Sequence, residues 1–72
     1  MRDVIVFASG GEPVRLVAVE SGNGLVYVAN PAALERIEKG DTEPVGVPAA
    51  DVVEYSEAKY RELREKWERS RA

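Results

Sequence analysis

Pro13–Asn30, PVRLVAVESGNGLVYVAN, is the stretch whose reading decides how this chain folds. Asn23-Gly24 sits between two runs rich in β-formers. Both central residues of a type I′ turn need positive φ, which Asn tolerates and Gly adopts freely, so the pair predicts a tight hairpin. A two-residue loop there sets Gly22 against Leu25, Ser21 against Val26 and Val19 against Val28. Side chains alternate between the faces of a strand, so this register gathers Val17, Val19, Val26 and Val28 on one face. A loop at Gly22-Asn23 also keeps the valines together, but its turn chemistry is poorer. The opposite face carries Leu16, Leu25 and Tyr27, which is more apolar than a solvated face should be. That face is expected to be enclosed by a curling sheet or covered by a partner.

Working outward, Val4–Ala8 (VIVFA) reads as a further strand, ended by Ser9-Gly10-Gly11. No phosphate-binding glycine pattern surrounds Gly10-Gly11, and a strand rather than a helix follows, so the pair reads as a turn. Asn30-Pro31 opens a short helix to Lys39, with Asn as N-cap, Pro at the first helical position and Gly40 as the left-handed stop. Leu34 and Ile37 are its expected buried anchors. Val45-Gly46-Val47, bracketed by Pro44 and Pro48, reads as a short edge strand. Val52–Tyr55 is a fifth strand, with Val53 and Tyr55 the expected core contributors.

Ser56 caps a final helix over about Glu57–Ser70. Tyr60, Leu63 and Trp67 recur at i, i+3 and i+7 on one stripe. Glu57–Arg61, Glu62–Lys66 and Glu65–Arg69 are acid-first i,i+4 pairs, the pattern of a solvated helix face. Arg64 lies beside the aromatic stripe.

The order β-β-β-α-β-β-α over residues 1–72 predicts one α+β domain: a small, strongly bent antiparallel sheet, either curled into a barrel or left open, covered by a C-terminal amphipathic helix. The 72 residues include no cysteine and no histidine, which removes thiol chemistry, His-based acid–base catalysis and zinc-finger sites. The carboxylates near Asp41 do not match a calcium loop. Neither a catalytic constellation nor a cofactor or metal site is expected. A core this small favours self-association, since a second copy adds burial without adding chain. Net charge is −3, unevenly spread. Residues 1–55 hold four basic and nine acidic groups, and residues 56–72 hold six basic and four acidic.

These readings converge on a non-catalytic interaction or assembly module. It is expected to bind itself, as a dimer, or another protein, through Leu16, Leu25, Tyr27, Tyr60, Leu63, Arg64 and Trp67. The alternative is a small nucleic-acid-binding accessory domain using Arg15, Tyr27 and Tyr55, against which the acidic balance argues. With no apolar run approaching a membrane span and no leader-like start, a cytoplasmic protein is the expectation.

Overall fold

A computed structural model describes Met1–Arg71. Five antiparallel strands, β1 (Arg2–Phe7), β2 (Pro13–Gly22), β3 (Leu25–Ala29), β4 (Val45–Pro48) and β5 (Val53–Glu54), form one sheet in the order β4-β3-β2-β1-β5. Between β3 and β4 a 3₁₀ turn at Pro31–Ala33 runs into the short helix α1 (Leu34–Glu38), and the long helix α2 (Glu57–Arg71) follows β5. The fold is thus the expected α+β class, and α2 packs on the sheet.

Beta-4 and β5 are the two edges, yet only Ala49–Val52 join them, three of these residues in a 3₁₀ turn. Edge strands of a flat five-stranded sheet lie about 19 Å apart. The five steps from Pro48 to Val53 reach at most about 18 Å when fully extended, and less through a 3₁₀ turn. The sheet must therefore curl, although β4 and β5 do not pair and it stays open.

The hairpin turn forms at Asn23-Gly24, with φ of 54° and 79°. Gly22 faces Leu25 and Ser21 faces Val26, as the sequence predicts. Beyond Glu20, which faces Tyr27, a bulge at Val19 interrupts the ladder, and Val28 then faces Ala18, not Val19. The four-valine face is therefore incorrect. Val26 and Val28 share the inner cluster with Val4, Val6 and Ala18, with Leu16, Val14, Val47 and Val52 packed against it. Val17 goes to the other face, paired with Asp3 and Ala29. Under unbroken alternation Glu20 would share the face of Leu16 and Ala18. The extra residue lets those two enter the core while Glu20 stays exposed, and it sharpens the bend.

Beta-1 is buried on both sides: Val4 and Ile5 each have 0% exposure. Val4 points into the curl, and Ile5 lies on the face that carries Arg15 and Val53. Fully burying a side chain of this kind stabilises by about 1.5–3 kcal/mol, so this strand is the energetic centre.

Local signals hold at the helix ends. Asn30 Oδ1 accepts from the Ala32 N–H at 2.9 Å, and Ser56 Oγ accepts from the Lys59 N–H at 3.1 Å. Gly40 has φ of 80°. Its N–H donates to the Ile37 carbonyl and that of Asp41 donates to the Arg36 carbonyl, a Schellman closure. Leu34 and Ile37 are only half-buried, against expectation, because a five-residue helix beside an open sheet has little to cover it. Val53 and Tyr55 are half-buried, and it is Val52 that packs on the inner cluster.

Candidate interaction surface

The link Ala8–Glu12 builds the junction between sheet and long helix. The Ala8 N–H donates to the Glu12 carbonyl and the Gly11 N–H to the Ala8 carbonyl, both at 2.9 Å. Gly10 and Gly11 both take positive φ, 88° and 84°, a pair of conformations that two glycines reach without strain. The turn presents the Gly10 carbonyl to α2, where the Trp67 indole N–H donates to it at 3.2 Å. Arg64 meets Glu12 nearby at 3.6 Å.

Phe7, the residue before this link, is 44% exposed and borders two depressions. The first is a cleft of about 460 Å³ lined by Val6, Leu16, Val28, Ala29, Val45 and Val47, with Asn30 and Asp51 as its polar members. Val45 is 65% exposed and lies on β4, whose outer edge has no partner strand among the described residues. The second, about 340 Å³, is lined by Gly10, Gly11, Leu63, Lys66, Trp67 and Ser70. Since Phe7 lines both, apolar surface continues from the edge strand across Phe7 to α2.

A third groove of about 430 Å³ runs along α2 between Tyr55, Tyr60, Arg61 and Arg64. Glu57, Glu65 and Glu68 share the groove, so it is mixed in charge, and a chain of rings and guanidinium groups leads from it toward Trp67. Arg15 lies 4.0 Å from the centre of the Tyr55 ring, and the Tyr55 and Tyr60 rings are 6.1 Å apart. Arg64 donates to Tyr60 Oη at 3.4 Å and lies 5.5 Å from the Trp67 ring, with Arg71 at 4.6 Å. The Arg15 guanidinium is held above its already high ordinary pKa chiefly by its hydrogen bond to Asp3, and that of Arg64 by Tyr60. Both stay cationic at every biological pH. Carboxylates answer these cations: Asp3 meets Arg15 at 3.0 Å, and Glu68 meets Arg64 at 3.4 Å. Two of the three cation–π contacts lie within α2 and stiffen its inner face, and the third fixes Tyr55 on β2. What ties α2 to the sheet is the Tyr55–Tyr60 ring contact, the Arg64–Glu12 pair and the Trp67–Gly10 hydrogen bond.

The residues singled out in the sequence divide among these places. Leu16 lines the first cleft, Leu63 and Trp67 the second, and Tyr60 and Arg64 the third groove. Leu25 and Tyr27 do not join them. They sit together over Gly46 at the β3–β4 end of the sheet, where a Cβ on that glycine would come within 3.1 Å of the Tyr27 ring. Leu16 was expected to share their face, and the bulge at Val19 separates them. Arg15 covers the Tyr55 ring, while Tyr27 lies at the far strand pair, with Gly46. Of the acid-first helix pairs, Glu57–Arg61 closes at 3.2 Å; Glu62 pairs instead with Lys59, and Arg69 donates to the Glu65 carbonyl. Phe7 and Val45 were not singled out. The signal for Phe7 was its parity, opposite to that of Val4 and Val6 at the last position before a turn.

Among the described residues no helix is long and apolar enough to cross a membrane. No protein-family model matches the chain, and no curated protein or solved structure matches it significantly.

Proposed function

We propose that this chain is a small, non-catalytic protein-binding module whose partner seats on the surface running from Val45 across Phe7 to Trp67. The observation that carries the reading is the position of Phe7. It is an exposed aromatic side chain standing between two apolar depressions, with exposed Val45 on the far side of one and Trp67 in the other. Leaving such contiguous apolar surface in water is unfavourable, and aromatic anchors beside pockets are where binding energy concentrates. The non-catalytic part rests on the ionisable side chains: no polar or charged residue is buried among the described residues, whereas catalytic groups are tuned by burial and close partners.

A photocrosslinking amino acid placed at Val45, with Glu20 on the opposite face of the sheet as control, tests the reading in the native cell. The expected result is a discrete crosslinked product from position 45 and none from position 20. Equal, diffuse labelling from both positions would overturn it.

A further inference from the structure

We propose that the occupant of this surface is a second copy of the chain, related by a two-fold axis passing beside Phe7. The inference rests on the protein-binding reading above and adds the partner and its arrangement.

The argument is one of charge on either side of an apolar centre. Asp51 belongs to the first cleft and Lys66 to the second, and Phe7 borders both. Asp51 and Lys66 are exposed, and among the described residues neither takes part in an ion pair. The imbalance extends behind each of them. Asp41 and Glu43 precede the exposed Val45 on the acidic side, and Arg69 follows Lys66 on the basic side, again without ion-pair partners.

A two-fold interface sets patch i of one copy against patch j of the other, and j against i. With the axis at Phe7, the two phenyl rings meet at the centre. Lys66 of each copy then stands opposite Asp51 of the other, twice over. One surface carrying an acid on one side and a base on the other is thereby complementary to itself. Opposite charges at the rim fix the register and exclude the rotated, like-charged alternative. Direct pairing of β4 with its own copy is a poorer arrangement. It would bring Asp41, Glu43 and Asp51 of both copies together, and Pro44 and Pro48 shorten the usable edge.

Sedimentation equilibrium of the full chain reads the outcome, comparing wild type with D51K, K66E and the D51K/K66E double variant. The expected result is a wild-type monomer–dimer equilibrium, weakened about tenfold or more in each single variant and largely regained in the double variant. Circular dichroism melting checks that each variant is folded. Should either be unstable, the wild type alone still answers, because its dimerisation must weaken between about 50 mM and about 500 mM salt. A wild type that stays monomeric at high micromolar concentration overturns the proposal. So does association that grows without limit, or a double variant no better than the singles. If the wild type is monomeric but position 45 still crosslinks to a protein of another mass, self-pairing falls while the protein-binding reading stands. If position 45 captures nothing as well, both fall.

Discussion

The Trp67 indole N–H and the Gly10 carbonyl, 57 residues apart in sequence, meet at 3.2 Å and fasten the long helix to the turn between the first two strands. The bond joins a helix stripe legible from its periodicity to a glycine pair that, read alone, is only a turn. Trp67→Phe keeps most of the packing and removes the donor, so it should cost about 0.5–1.5 kcal/mol. Trp67→Ala removes the half-buried ring too and should cost about 2 kcal/mol, less than a fully buried aromatic would. Urea denaturation of both variants checks the order and the gap between them.

The bulge at Val19 makes an opposite pair of predictions from those of simple alternation. Ala18 is 4% exposed inside the curl, so Ala18→Lys buries a charge without a partner and should abolish folding at room temperature. Val19→Lys should cost about 1 kcal/mol or less, because Val19 is only half-buried at the interruption of the ladder. Had the strand alternated without interruption, the two effects would be reversed. Circular dichroism melting curves distinguish the cases.

Gly24 holds φ of 79° at the second turn position, with open space where a Cβ would stand. Gly24→Ala therefore tests backbone strain alone and should destabilise by about 1 kcal/mol. The companion change Gly46→Ala tests space alone. Its new methyl meets the Tyr27 ring at 3.1 Å in a backbone conformation that alanine accepts. The Tyr27 ring should shift, visible as a change in its tyrosine fluorescence or NMR chemical shifts, while Gly24→Ala leaves that ring undisturbed.

Stability should be nearly flat between about pH 6 and about pH 9. No histidine or cysteine titrates there, and no charged side chain is buried among the described residues. The raised values of Arg15 and Arg64 keep the sign of this prediction. A group whose pKa is higher when folded contributes its stability below its unfolded value and loses it only as pH climbs through the folded one. For an arginine both values lie far above the window. Thermal melts across the range check it, and a midpoint moving by more than a few degrees would contradict it.

What the sequence disclosed was local. The Asn23-Gly24 turn, the caps at Asn30 and Ser56 and the stop at Gly40 each depend on a few adjacent residues, and each formed as read. The bulge depends on the partner strand. Only the conflict between Glu20 and the apolar residues of its parity hinted at it, so the valine face was misassigned. Burial of Leu34 and Ile37 depended on how far the sheet closes, which no local pattern encodes. Leu16, Leu63 and Trp67 were legible as apolar positions in search of cover. The residue that connects their surroundings, Phe7, gained its place only when β1 and α2 were brought together.

The two-sided burial of β1 has a consequence for the order in which the molecule assembles. Its neighbour β2 follows directly, but β5, its other neighbour, pairs Glu54 with Val4 across fifty residues of chain. Closing that long loop costs more entropy than closing the hairpins, so the meander of β1 to β4 should form first and β5 with α2 should dock last. Until then Val4-Ile5-Val6-Phe7 presents an open, uncharged edge of β-formers, the kind of segment that recruits other chains into aggregates. The last strand and helix thus act as the chain's own chaperone for its first strand. A chain cut after Val52 should be lost to aggregation rather than to simple unfolding.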